Sequence, residues 1–166
     1  MALVLVATPG GATSNTYCTV AEADTYHEAH YYASTWNAAT TANKNIVLVM
    51  ATRLLDQLVM WDGNKETTSQ ALRWPRTSIY DLDGHYISSG TIPQFLKDAT
   101  AEFARILLAS DRTADAETAG FKRIVIDDIE LEVDKFDRPQ TIPKSVWIII
   151  KTYGSIIGKD RSLVRC

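Results

Sequence analysis

The chain has 166 residues, 46% hydrophobic and 22% charged, with a formal net charge of −3 and a pI near 5.6. That is enough apolar material for one domain with a real core; the acidic balance argues against a surface built throughout to grip nucleic acid, while leaving room for local basic patches. Cys18 and Cys166 lie far apart with no CxxC spacing, so neither a disulfide framework nor a zinc site is suggested and a reducing compartment is the default.

Met1 to Val6 is apolar, but it lacks a basic lead and stops at Thr8-Pro9-Gly10-Gly11, which suits a short strand or arm rather than a signal peptide or membrane span. Thr8 to Thr16, rich in Gly, Ser, Thr and Pro, predicts irregular chain. Thr19-Val20-Ala21-Glu22 is a capping box that opens a first helix near Val20; this helix carries Ala23, Tyr26, His27, His30 and Tyr31 and decays at Ser34 to Asn37. Thr40-Thr41 caps a second helix from about Ala42 to Trp61, with Ile46, Val47, Val49, Met50, Leu54, Leu58 and Trp61 on a buried stripe and Arg53, Asp56 and Gln57 on the other side.

Met60 to Pro93 carries too much aromatic surface for a disordered linker and predicts an ordered crossover. Asp62-Gly63-Asn64 ends the preceding helix, Trp74-Pro75 forces extended or turning chain, and Ile79-Tyr80 and Tyr86-Ile87 flank a hairpin-like turn with Gly84 at its tip. Thr91-Ile92-Pro93 opens a third helix, with Thr91 as cap. Leu96, Ala99, Phe103, Ile106 and Leu107 point inward there, and Lys97, Asp98, Glu102 and Arg105 outward.

Phe121 to Ile126 and Ile129 to Val133 alternate around Asp127-Asp128, the pattern of a two-stranded hairpin that needs helices or other copies to lie on. Thr141-Ile142-Pro143 opens a fourth helix through Trp147, Ile148, Ile149, Ile150 and Tyr153, apolar almost all round. Acidic residues outnumber basic ones between Glu117 and Asp137, whereas the tail from Gly154 is basic, a polarity common in subunits that meet unlike neighbours. The pattern predicts a mainly α fold: four helices, a β-hairpin between the last two, and extended N- and C-terminal arms. Its divisions are an arm at 1–18, a helical domain at 19–154 with the hairpin at about 121–134, and a tail at 155–166.

Chemistry has little to draw on. His27 and His30 sit one turn apart without the HExxH arrangement or a third ligand, so an amphipathic, packed helix explains them better than a metal. Asp81-Leu82-Asp83-Gly84 lacks the third acidic position and the distal glutamate of a calcium loop. There is no phosphate-binding glycine motif and no nucleophile elbow, and the expectation is a protein that is not an enzyme and uses no metal or cofactor. Arg73-Trp74-Pro75-Arg76, near Tyr80 and Tyr86, mixes the ingredients for stacking single-stranded bases. The acidic total favours the plainer alternative: Trp74 fills a gap against the helices, and the arginines pair with carboxylates or neighbouring chains.

Ser14-Asn15-Thr16-Tyr17, Thr19 to Tyr26, Ala51-Thr52-Arg53-Leu54-Leu55-Asp56, Gln70 to Arg76 and Ile92-Pro93 together resemble a family of small tailed-bacteriophage proteins from head-morphogenesis regions, often labelled DnaT-like single-stranded-DNA-binding proteins. The arrangement is also similar to head-completion, or head-to-tail adaptor, proteins. That resemblance implies a four-helix adaptor domain in a homo-oligomeric, dodecameric ring under the portal. Such a ring extends the DNA channel, meets a downstream neck, stopper or tail protein, and passes genomic DNA without sequence-specific binding. Its place is the virion neck, after synthesis in the host cytoplasm, with no membrane. On this view Lys159, Arg161, Leu163, Val164 and Arg165 dock the tail on the portal. Arg73, Trp74 and Arg76 anchor the loop or a subunit interface, and the acidic hairpin of Asp127, Asp128, Glu130 and Glu132 faces the channel. The alternative is a single-stranded-DNA-binding protein of phage DNA metabolism.

Overall fold

The computed structural model describes residues 3–114, 123–126, 129–132 and 140–157. Among these, the order is α1 (Val20–Glu28), α2 (Ser34–Ala38), α3 (Thr41–Leu58), β1 (Val59–Trp61), β2 (Asn64–Lys65), β3 (Arg76–Thr77), α4 (Gln94–Ala109), β4 (Arg123–Ile126), β5 (Ile129–Glu132), α5 (Lys144–Ile150) and β6 (Gly154–Ile156). The described residues thus form a small mixed domain of five helices with short strand pairs, and the four-helix expectation is corrected.

The extra helix comes from a break in the first. The capping box forms, with Thr19 Oγ1 accepting from the Glu22 amide at 3.2 Å and Glu22 Oε2 accepting from the Thr19 amide at 2.8 Å, but α1 stops at Glu28. His30 and Tyr31 lie beyond it, and Ser34–Ala38 starts afresh because fully buried Trp36 needs its own approach to the core. Asp24 of α1 ties three helices together: it accepts from Trp36 Nε1 at 2.7 Å and pairs with Lys44 of α3 at 2.8 Å, while the Lys44 ammonium sits 4.9 Å from the Trp36 ring.

The centre is α4, which packs against α1, α2, α3 and α5. Leu96, Ala99, Ala101, Phe103 and Ala104 are buried along it; the alanines let neighbouring helices approach, and Leu96 and Phe103 each gain about 2–3 kcal/mol from burial. An aromatic chain runs from the crossover into this core. Trp61 meets Trp74 edge-on at 5.7 Å, Trp74 meets Phe95 at 5.6 Å, and Phe95 stacks on Tyr153 at 3.9 Å.

Several boundaries differ from the periodicity. The α3 helix ends at Leu58, because Val59 and Trp61 are buried at a spacing of two and the intervening Met60 is exposed, which is strand geometry. This β1 pairs antiparallel with β6, placing Trp61 opposite Gly154. Gly154 is needed there, since a Cβ would come within 2.7 Å of the Met60 carbonyl. The β2 and β3 strands pair as Asn64 with Thr77 and Lys65 with Arg76, and Tyr80 bridges Tyr86 around the Gly84 turn. Pro93, rather than Thr91, is the cap residue of α4 and makes no side-chain bond. Glu102 is buried, not outward: Arg105 grips it through two bonds of 2.7 and 3.1 Å, and His30 lies 3.6 Å away. The α5 helix buries only Val146 and Ile150, leaving Ile148 exposed.

Among the described residues, the N-terminal stretch from Leu3 forms no strand and is fastened to the body. Asn15 clamps it: Oδ1 accepts from the Val6 amide at 2.8 Å, Nδ2 donates to the Val4 carbonyl at 2.9 Å, and the Asn15 amide donates to the Val6 carbonyl at 2.9 Å. At the other end, β6 returns the chain to β1, and the tail from Gly158 lies outside the described residues. The hairpin pairs β4 with β5, Arg123 opposite Glu132 and Val125 opposite Glu130. No helix of the described residues is long and apolar enough to cross a membrane.

Candidate functional site

Three of the stretches singled out in the sequence, 14–17, 51–56 and 70–76, meet at one place. The irregular chain after Asn15 lies against α3, with the Tyr17 amide donating to Thr52 Oγ1 at 3.3 Å, and the crossover lies beside both, with the Ala71 amide donating to the Gly11 carbonyl at 3.1 Å. Gln70 shapes this bend. Its Nε2 donates to the carbonyls of Leu72 and Pro75, and its Oε1 accepts from the Thr67 amide.

Asp56 is the joint. Its Oδ1 accepts from the Tyr17 hydroxyl and its Oδ2 accepts from the Arg73 amide at 3.0 Å, so one carboxylate holds both segments to α3. Burial pushes its pKa above the ordinary carboxylate range, against the pull of the Tyr17 bond, the Arg73 amide and the Arg73 charge. Burial and the Asp56 charge likewise push the Tyr17 hydroxyl well up, so it stays a neutral donor.

Beside the joint is an open groove of about 430 Å³. Arg53 and Gln57 border it from one face of α3, Lys65 from β2 and Arg73 from the crossover. Lys65 Nζ donates to the Gln70 carbonyl at 3.0 Å. The Arg53 and Arg73 guanidiniums have no hydrogen bond or ion pair among the described residues. The groove thus presents more positive than negative charge, and no aromatic ring lines it.

The expected site residues divide here. Arg73 borders the groove, whereas Trp74 is 1% exposed in the aromatic chain and joined to Pro75 by a cis peptide bond. Arg76 is 9% exposed and meets backbone carbonyls rather than carboxylates: Nε donates to Asp62, Nη1 to Arg73, and Nη2 to Trp61 and Gly63, at 2.5 to 3.2 Å. Burial draws its pKa down, helped by the Arg73 charge, and the nearby carboxylates of Asp56 and Asp62 oppose that. Glu130 and Glu132 fall in β5, and their side chains lie outside the described part of the structure. Asp127, Asp128 and the tail residues Lys159, Arg161, Leu163, Val164 and Arg165 lie outside the described residues. The roles of Tyr17, Arg53, Asp56 and Lys65 were missed by motif reasoning; the signal that could have found them was the joint presence of the 14–17 and 51–56 stretches with 70–76.

A second exposed feature is the turn carrying Tyr80, Leu82 and Tyr86, which are 58%, 83% and 54% exposed. The two tyrosine rings meet edge-on at 5.9 Å above buried Ile79. Asp81, Asp83 and His85 bring ligand-type atoms within 4.8 Å of one another. Asp81 Oδ1 already accepts the amides of Asp83 and His85, which holds this carboxyl below its ordinary range and makes the cluster a turn support. His27 is buried against Trp36 with Nε2 on the Ala101 carbonyl, and burial pushes the Cys18 thiol up to about 12, so both are packed groups.

No curated protein and no solved structure matches the chain. A family model does match over residues 1–154, spanning all three stretches that build the groove, and the chain belongs to that family, described as "Putative DnaT-like ssDNA binding protein".

Proposed function

We propose that the protein is a non-catalytic subunit of a tailed-phage neck: a head-to-tail adaptor that forms a ring under the portal, extends the DNA channel and offers a platform to the next neck or tail protein. The observation that carries this reading is the fate of the basic-aromatic crossover. Trp74 and Arg76, the residues best suited to stack and grip a nucleic acid strand, are spent inside the domain as anchors. What the crossover offers outward is a braced apolar turn, Tyr80, Leu82 and Tyr86, of the kind that protein contacts use. The non-catalytic part draws support from Asp56, His27 and Cys18, whose displaced acidities each arise from packing.

The family description speaks for the other reading, single-stranded-DNA binding, more directly than for an adaptor. The observation favouring it is the pair of exposed ring clusters, Tyr80 with Tyr86 and Tyr31 with Tyr32, whose faces could stack bases. Negative-stain imaging of the purified protein with and without portal separates the two. Rings seated on portals are expected. Isolated particles that ignore the portal and retain oligonucleotides with a steep loss on adding salt would overturn the adaptor and establish the DNA binder.

A further inference from the structure

We infer that the free edge of β6 receives residues 4–7 of a second copy of the chain as an added strand. The contact rests on the ring of the reading above, because two unlike edges join head to tail, the geometry that closes rings. The Ile157 amide donates to the Leu58 carbonyl at 2.8 Å and the Asp62 amide to the Tyr153 carbonyl at 3.0 Å, with Met60 opposite Ser155 between them. These pairs turn their backbone groups towards β1, so Gly154 and Ile156 turn theirs to the outer edge. Neither has a partner on that edge among the described residues. Beside it lie exposed Ile157 and an open apolar pocket of about 210 Å³, lined by Leu58, Ile142 and Ile156 with Gln140 and Thr141.

The N-terminal stretch carries the matching edge. Val4 gives its carbonyl to Asn15, and Val6 both its amide and its carbonyl, so residues two apart share one side as in an extended chain. Leu5 and Ala7 have no hydrogen bond among the described residues. By the same alternation their N–H and C=O groups lie on the opposite side, at the spacing of Gly154 and Ile156. Asn45 takes the Leu3 carbonyl at 3.2 Å and so ends this free edge at Leu5. Antiparallel pairing sets Leu5 opposite Ile156 and Ala7 opposite Gly154, and each pair then exchanges both of its backbone bonds. It also sets Val4, 70% exposed, opposite Ile157, 49% exposed, so that each covers the other. Contact between two β6 edges would pair the backbone equally well but close a dimer about a two-fold axis rather than a ring.

The test is disulfide trapping between two variants mixed in the presence of portal, the condition under which the ring should form, with Cys166→Ser in both. Opposed in this way, Val4 and Ile157 form a pair without backbone bonds, whose Cα atoms stand about 4.5 Å apart, within reach of a disulfide. With oxidised glutathione, Val4→Cys and Ile157→Cys chains should give a cross-linked dimer when mixed and none alone. Val4→Glu and Ile157→Lys should each weaken ring assembly about tenfold or more, and the two changes in one chain should restore it. Circular dichroism checks that each variant folds. Rings on portals with no cross-linked dimer, or loss without restoration, overturn the inference and leave the adaptor standing. A cross-linked dimer from mixed chains with no rings keeps the strand contact and overturns the adaptor. Ile157→Cys that cross-links to itself makes the occupant another β6, and Ile157→Lys that loses portal binding while Val4→Glu assembles normally makes it a portal strand; either overturns the inference.

Discussion

At the scale of single residues, Arg76 shows how a buried cation can be held without a carboxylate. Its guanidinium reaches four carbonyls spread over Trp61, Asp62, Gly63 and Arg73, so it fixes the end of β1, the turn after it and the crossover at once. Lysine cannot reproduce that fork, so Arg76→Lys should cost about 2–3 kcal/mol and Arg76→Ala about 3–5 kcal/mol, measured by urea denaturation. An equal cost for an exposed control such as Arg53→Ala would show that the carbonyl network is not what matters. His27 makes a pH prediction. Burial lowers its pKa in the fold, against the pull of the Ala101 carbonyl and Glu102, while Arg105 and His30 reinforce the lowering. The unfolded chain then binds more protons below about pH 6.5. The stability from keeping His27 neutral is complete above that value and is lost as the pH falls below it towards the folded pKa. The melting temperature should fall between pH 7.5 and 5.5, and His27→Gln should flatten that fall.

At the scale of elements, what was legible followed from local rules. The capping box at Thr19, the Thr40 cap of α3, the Gly84 turn and the pairing of β4 with β5 all rest on short-range chemistry visible in the residues. What stayed hidden depended on distant partners. The end of α3 is placed at Trp61 by periodicity, three residues late, because Leu58 and Trp61 fit a helical stripe and β6, some ninety residues on, supplies the strand partners. Glu102 falls on the polar side of α4 by spacing, yet Arg105 and His30 close over it. The groove was illegible for the same reason, since Tyr17, Asp56 and Arg73 come from three segments. Gly63 ties the crossover to this strand-forming region: it has φ +66°, and a Cβ there would lie 2.2 Å from the Thr77 carbonyl. Gly63→Ala should therefore cost about 2–4 kcal/mol and loosen the β2–β3 pair, read as faster amide exchange at Asn64 and Lys65. Tyr80→Ser with Tyr86→Ser, by contrast, removes exposed rings and should change stability by less than about 1 kcal/mol.

At the scale of the whole molecule, the described body closes on itself before the tail begins. The β6 strand pairs with β1, and the Ile157 amide donates to the Leu58 carbonyl at 2.8 Å, so the last described turn is fastened to the end of α3. Residues from Gly158 onward add basic and apolar side chains, Lys159, Arg161, Leu163, Val164 and Arg165, to a chain whose net charge is −3. In the adaptor reading these are the portal-docking residues, and the body's stability should not depend on them. A chain ending at Ile157 should keep its helical circular dichroism and melt within about 2–3 °C of the full protein, a shift below 1 kcal/mol for a domain of this size. The same truncation should abolish sedimentation with portal. Retained portal binding would move the docking surface onto the body, with the exposed Tyr80, Leu82 and Tyr86 turn as the next segment to alter. A truncated chain that unfolds would instead place the tail in the domain's own core and remove it as a portal contact.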